Sequence, residues 1–263
     1  MKNKEQIFYI IGAIVLLAGL YWGFDTSPST QKTLEKSRVL SGQEFDLNSL
    51  RTNAKKTLKK DELEYVEALE SQVQYAGGDS AKAEVLKQLS GYWFKTGNPI
   101  LAGIYAKEIA QMDQTAKSWA ITGTTFAAVL KQANLDEKDR VLARDQAIDA
   151  FEHAISLEPS VIEHRVNQAL CYIETPDSAQ PMKGVQMLAS LATNYPESAL
   201  PPYHLARLAV QTGQYGKAEE RIEQALKLAP EDSRIACLAK DIYTAVNKTE
   251  KARELADLCN RLK

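Results

Sequence analysis

Histidine, cysteine and clustered carboxylates are the side chains that ligate metals, attack carbonyls or shuttle protons. The 263-residue chain has three histidines, His153, His164 and His204, and three cysteines, Cys171, Cys237 and Cys259. None of the histidines belongs to a His-Glu-x-x-His spacing, which puts two imidazoles on one helical face around zinc. No Cys-x-x-Cys pair offers two thiolates to a metal or to redox exchange. Odd in number and far apart, the cysteines read as three small apolar residues inside helices, not as a disulfide framework. His153 and His164 read as surface residues. There is no Gly-x-Ser-x-Gly elbow, Walker loop or Gly-x-Gly-x-x-Gly turn. Gly77-Gly78-Asp79-Ser80 has the look of a phosphate loop, but a helix stop at the glycines and a cap at Asp79 or Ser80 account for it. Carboxylates are plentiful and scattered, as on solvated helical faces. The residues point away from an enzyme, a metal or a cofactor, and towards binding.

Composition narrows what is bound. Lys and Arg number 32 against 34 Asp and Glu, a net charge of −2. Such a balance supplies no basic field for a phosphate backbone, so nucleic acid is not an expected partner. Hydrophobic residues at 44% and charged residues at 25% are ordinary for a folded domain.

Ile7 to Phe24 reads IFYIIGAIVLLAGLYWGF and carries no charge. As a helix it would span roughly 27 Å, the thickness of a hydrocarbon core, and is expected to be a transmembrane anchor held in lipid. Tyr21, Trp22 and Phe24 suit the headgroup level at its end. The bulky YWGF stretch replaces the small residues of a signal-peptidase site, which argues against cleavage. Lys2 and Lys4 in the tail 1–6 favour a cytoplasmic N-terminus. Lys32, Lys36 and Arg38 compete with them, while Asp25 and the short tail tip the balance. The bulk of the chain is then extracytoplasmic, on the periplasmic side of a bacterial inner membrane. Gly19-x-x-x-Gly23 has the spacing of a helix-dimerisation face, a route to homo-oligomers, although glycine is common in membrane helices. Residues 25–46, rich in Ser, Thr, Gln and Lys, read as a tether.

From Leu47 to Ala76 apolar residues recur at roughly three and four: Leu50, Ala54, Leu58, Leu63, Val66 and Leu69. The segment 47–78 is expected to be helical. Beyond it one pattern returns. Ala147-x-x-x-Phe151-x-x-Ala154 is followed by Pro159, Gly184-x-x-x-Leu188-x-x-Leu191 by Pro196, and Ala218-x-x-x-Ile222-x-x-Ala225 by Pro230. Ala102-x-x-x-Ala106-x-x-Ile109 and Ala252-x-x-x-Ala256-x-x-Cys259 are copies without the proline. A period of 34 with insertions fits the spacings. Small residues let paired helices approach, a large one fills the gap beside them, and proline ends the unit. Ser160-x-x-Glu163 has the form of a capping box. Asn134 to Arg144 is an insertion that either lengthens a hairpin or forms a charged loop. Thr175 to Pro181 is a shorter one.

These repeats resemble the tetratricopeptide repeat family, whose first helices carry W-x-x-L-G-x-x-Y. Trp119, Thr122, Gly123 and Phe126 match those places. Leu86, Leu89, Ser90 and Trp93 match them too; so, more loosely, do Arg165, Gln168, Ala169 and Tyr172, then Leu205, Ala206 and Ala209, and Ala236, Ala239 and Tyr243. Gly97 and Gly213 fall at turns between paired helices. The resemblance implies an all-α, right-handed α-solenoid over residues 79–263, with repeats at 83–115, 116–161, 162–198, 199–232 and 233–263. It also implies a concave groove, lined by first helices, that binds proteins or peptides. By repeat phase the lining would be Lys87, Phe94, Lys95, Thr124, Asn167, Tyr203, Arg207, Gln211, Arg234 and Asp241. The Lys and Asn clamp of members that grip chaperone tails is not reproduced, but Arg207 and Arg234 are placed to meet an acidic ligand. The layout suggests an anchored adaptor that recruits partners to a membrane complex such as a secretion translocon. The alternatives are a client-presenting assembly factor, as in cytochrome c maturation, and a structural subunit.

Overall fold

The computed structural model describes residues 47–261 apart from Asn134 and Asp177. The expected anchor Ile7–Phe24 with Gly19 and Gly23, the tail 1–6 and the tether 25–46 lie outside the described residues. Twelve helices and no strand occur among the described residues. None of these helices is long and apolar enough to cross a membrane.

Two helices come first, α1 (Leu47–Lys55) and α2 (Lys60–Tyr75). The sequence pattern had suggested one continuous helical stretch here. The chain instead breaks at residues 56–59, where the Thr57 hydroxyl donates to the Ala54 carbonyl at 2.7 Å. The Glu62 carboxylate then accepts from the Lys59 backbone N–H at 2.9 Å and starts α2. Apolar spacing alone does not register the break, because Leu58 still packs on the same core as Leu50 and Val66.

Five hairpins follow: α3 (Asp79–Lys95) with α4 (Pro99–Asp113), α5 (Ala116–Val129) with α6 (Glu137–Leu157), α7 (Ile162–Glu174) with α8 (Lys183–Asn194), α9 (Leu200–Gln211) with α10 (Tyr215–Leu228), and α11 (Ser233–Ala245) with α12 (Thr249–Arg261). Each helix from α2 on packs against the next in the chain, and α1 joins α2 through Ala54, which shares a core with Val66 and Leu69, and through the Lys55–Glu70 ion pair. The first helices α5, α7, α9 and α11 also touch in succession. The repeated small-large-small positions form the core. Ala147, Phe151, Ala154, Leu188, Ala218, Ile222 and Ala225 have no exposed surface. A Cβ added at Gly123 would stand 2.7 Å from the Phe151 ring, so a glycine is what lets α5 and α6 close on an aromatic side chain.

Three hairpins turn in the same way. Gly97 and Gly213 adopt φ of 83° and 71°, and Asn247 takes the equivalent place at 62°. In each, the next residue's N–H reaches back to a carbonyl of the last helical turn at 2.8 Å: Asn98 to Trp93, Gln214 to Ala209 and Lys248 to Tyr243. This is the Schellman closure of a helix end. The second hairpin differs. Its insertion extends α6 to 21 residues. Asp136 caps α6 by accepting from the Lys138 N–H at 2.9 Å, and Arg140 donates back to the Leu130 carbonyl at 3.2 Å. The insertion therefore lengthens the hairpin and satisfies the end of α5.

Local expectations fail at two helix starts and one histidine. The Ser160/Glu163 capping box does not form, because α7 starts at Ile162 behind Val161, which makes no side-chain cap. Arg165 instead donates to the Pro159 carbonyl. Asp79 and Ser80 do not cap α3 but begin it, behind Gly78; Asp79 still places a carboxylate in the positive first turn. His164 is buried at 7% exposure rather than on the surface. Helix α7 lies between α6 and α8 and so buries residues on more than one stripe, His164 and Gln168 among them.

Candidate protein-binding surface

The residues singled out by repeat phase all lie on first helices. Lys87, Phe94 and Lys95 are on α3 and Thr124 is on α5. Asn167 is on α7, Tyr203, Arg207 and Gln211 on α9, and Arg234 and Asp241 on α11. Tyr203, Arg207 and Gln211 recur every four residues and share one face of α9. Phe94 is 52% exposed, an apolar ring left in water. Thr124 is exposed, but its hydroxyl is spent on the Ala120 and Ile121 carbonyls at 3.0 Å. Lys87 pairs with Glu84 at 3.4 Å, and Asp241 with Lys240 at 3.0 Å. Asn167 is half-buried.

Arg234 is held by its own helix start. Its guanidinium donates to Asp232 at 2.6 and 3.1 Å, while Asp232 also accepts the Arg234 and Ile235 backbone N–H groups as the cap of α11. The Arg234 hydrogen bond keeps the Asp232 carboxyl below its ordinary range. Arg207 is in a different state. It is half-buried, makes no ion pair with any described residue, and its Nε is shielded from water without an acceptor. One turn earlier, His204 has its Nδ1 shielded and unpartnered as well, with the Tyr203 ring 4.9 Å away, edge-on. Burial pushes the His204 imidazole down to about 4, helped by the Arg207 and Arg234 charges. The structure thus draws Tyr203, Arg207 and Arg234 into one neighbourhood around His204. Repeat phase picks out Tyr203, Arg207 and Arg234 but not the histidine. Its signal was the i, i+3 spacing to Arg207.

Arg51 also has a shielded Nε without an acceptor, but its guanidinium lies over the Tyr105 ring, 5.0 Å from its centre, and several other cations bridge helices to acceptors. Lys82 meets Glu108 at 2.7 Å, and Lys107 meets Asp149 at 3.2 Å and Gln146 at 2.7 Å. Lys251 meets Glu223 at 2.8 Å, and Lys248 meets Glu219. His153 stacks on Trp119 with ring centres 4.1 Å apart.

A second recess escaped the sequence reading. It has a volume of about 870 Å³ and lies between α6, α7 and α8, lined by Ile155, Arg165, Gln168, Met187, Leu191 and Tyr195 among others. None of the residues picked by repeat phase reaches it. Arg165 and Gln168 had been read only as packing positions. In the structure Gln168 lines the recess and donates to Glu152, another lining residue, at 3.2 Å. No group of three or more His, Cys, Asp or Glu among the described residues could hold a metal ion.

The cysteines depart from their expected role. Cys237 of α11 and Cys259 of α12 form a disulfide with Cα atoms 4.9 Å apart, and Cys171 alone is free and buried. Reading all three as isolated apolar residues was wrong for the pair. Both occupy packing positions of their helices, and only the register between α11 and α12 brings the sulfurs together.

Hairpins in common phase, small residues at the helix crossings and Schellman turns make an array of repeated helical hairpins. Residues 203–232 match the family profile described as a tetratricopeptide repeat. Among solved structures the chain is similar to MamA (residues 41 to end) from Desulfovibrio magneticus RS-1, at 16% identity. That likeness covers 69% of this chain and 96% of the other, with a TM-score of 0.42. A second MamA crystal structure is 13% identical over 66% of this chain and 93% of the other, with a TM-score of 0.41. No curated protein matches the chain.

Proposed function

We propose that the chain is a membrane-anchored adaptor whose tetratricopeptide array works outside the cytoplasm. Its first-helix face takes up the C-terminal segment of a partner protein through the terminal carboxylate. The observation that carries this reading is Arg207. A half-buried guanidinium with a shielded, unpaired Nε needs an acceptor, and a carboxylate supplies two oxygens in matching geometry. His204 beside it offers a second donor site, and Phe94 gives the same face an apolar contact further along the array. The absence of metal-ligand and catalytic motifs fits a scaffold, and the apolar run Ile7–Phe24 fits attachment to lipid. The Cys237–Cys259 bond favours the extracytoplasmic side, because such bonds persist in oxidising compartments. A secretion or maturation complex at the membrane is the setting this layout suits.

The test uses the full chain in detergent micelles and pairs of peptides that differ only in a free or an amidated C-terminus. Free-acid peptides are expected to bind more tightly, and Arg207→Gln to weaken them by about 10-fold to 100-fold, as expected for loss of a hydrogen bond to a charged group. Equal binding of acid and amide forms, or an Arg207→Gln variant that binds like the parent, would rule the reading out. Sidedness is tested by protease added to intact cells stripped of their outer membrane: the array is digested if it lies outside, and protected if it lies in the cytoplasm.

A further inference from the structure

The fourth and fifth hairpins are related residue by residue at a spacing of 34. Cys237 stands where Tyr203 stands one unit earlier, and Cys259 where Ala225 stands. The fifth hairpin therefore has a covalent bond at positions that hold a tyrosine and an alanine in the fourth. The helices concerned are also held differently. In α10, Ala218, Ile222 and Ala225 are completely buried. In α12 only Ala252 and Cys259 are buried, while Leu255, Ala256 and Leu258 remain half-exposed. Exposed Lys251, Arg253, Glu254, Asp257 and Asn260 complete an amphipathic helix with a thin apolar stripe. Helix α10 packs against both α9 and α11, whereas α12 packs against α11, and the disulfide is a contact that α10 lacks.

We propose that Cys237 and Cys259 are a modification site, joined by a thiol–disulfide oxidoreductase of an oxidising compartment, and that the bond completes the fifth hairpin and the surface that carries Arg234 and Asp241. The chemistry balances. Cys237 is the more exposed of the two. Its thiolate attacks the enzyme's disulfide and forms a mixed disulfide, releasing one enzyme thiolate. The Cys259 thiolate then attacks the Cys237 sulfur and expels the second. Two protons leave the cysteines, and their two electrons reduce the enzyme disulfide to a dithiol. Cys171 does not compete: the fold brings Cys237 and Cys259 together and pairs Cys171 with neither, and burial pushes its thiol up to about 12. Of the three pairings open to three cysteines, one is accessible.

The proposal shares the extracytoplasmic placement of the preceding reading but not its ligand. Protein purified from native membranes without reductant is alkylated, before and after reduction, and the modified cysteines are identified by mass spectrometry. Two newly labelled sites at Cys237 and Cys259 after reduction are expected; labelling of both before reduction overturns the proposal. Amide hydrogen exchange then compares oxidised and reduced full chain. Opening a loop of this size is expected to speed exchange in α12 on the order of 100-fold and to leave α5 and α6 unchanged. A Cys237→Ser/Cys259→Ser variant should match the reduced protein. A Cys237→Tyr/Cys259→Ala variant, which restores the pair of the fourth unit, should recover part of the protection without any bond. Exchange in α12 that is the same in oxidised, reduced and serine-substituted protein would overturn the role. Peptide binding at Arg207 is read separately, so failure of either proposal leaves the other testable.

Discussion

In the second hairpin the Phe151 ring of α6 lies against the bare backbone of Gly123 in α5, and a Cβ there would come within 2.7 Å of it. Phe126, 1% exposed, lies in the same way against Gly103 of α4, and Trp119, 3% exposed, packs with Ala110, Ala150 and Ala154. In the last two hairpins the equivalent space is lined by Ala206, Ala209, Ala218, Ala225 and Ala239 around Ile222, Ile235 and Ile242. What the alanines do not supply in contact area is made up at the edges. Glu223 gathers the Tyr243 hydroxyl at 3.3 Å and the Lys251 ammonium at 2.8 Å, and the disulfide links α11 to α12. One repeat phase is thus filled in two ways: large rings in glycine sockets, or small residues with bonds around the rim. The first region has no shielded histidine–arginine pair. The second keeps one, at His204 and Arg207, and that is where a ligand is expected.

The largest effect that separates the regions is expected at the aromatic socket. Phe151→Ala should cost about 3–5 kcal/mol, since a fully buried ring leaves a cavity. Urea unfolding followed by tryptophan fluorescence would measure it; a loss below about 1 kcal/mol would show that the socket collapses and the contrast is false. Gly123→Ala should cost about 1–3 kcal/mol by overpacking, and Phe151→Leu in the same chain should recover part of that loss. Additive costs in the double variant would mean that the two residues do not share the space.

Acid should act on the other region. The folded His204 titrates near 4 against an ordinary value of 6.5. Between those values the unfolded chain binds more protons than the folded one, so stability is full above about pH 6.5 and falls as the pH drops towards 4. On the order of 2–3 kcal/mol is at stake for a group buried to this extent. His204→Gln should flatten the decline over that range, and exchange in α9 and α11 should report it before α5 and α6 respond. A decline of the same size in the variant would place the acid sensitivity elsewhere.

The smallest effects concern the turns. Gly213→Ala, at φ of 71°, should cost about 1–2 kcal/mol, the penalty for a side chain in the left-handed region. Asn247→Gly at the matching turn should change stability by only a few tenths, because Asn already tolerates that conformation. Thermal unfolding of the two variants tests whether the turns are interchangeable.

The sequence made the hairpins visible because their crossings demand small residues at fixed spacing, and Ala147, Phe151 and Ala154 or Ala218, Ile222 and Ala225 carry that demand in their identities. Gly97 and Gly213 were legible for the same reason: a left-handed turn selects glycine. Asn247 was not, since asparagine also serves many other places. The break at residues 56–59 left no trace, because apolar spacing resumes on the same core. The disulfide was hidden because 22 residues and a helix reversal separate its partners, and a small apolar cysteine satisfies each helix by itself. Of the binding surface, repeat phase placed Tyr203, Arg207 and Arg234 on first helices. It did not show that Asp232 already engages Arg234 while Arg207 is left without a carboxylate, because side-chain pairing depends on what each helix start does with its own cap.

On the proposed reading, the first-helix face around Arg207 receives the terminal carboxylate of a partner segment. The most direct measurement is calorimetric titration of the full chain, in detergent micelles, with a free-acid peptide and its amidated twin, for the parent and for Arg207→Gln. Preferential binding of the acid form by the parent is expected, with that preference lost in the variant. A preference that is absent in the parent, or that survives Arg207→Gln, would contradict it.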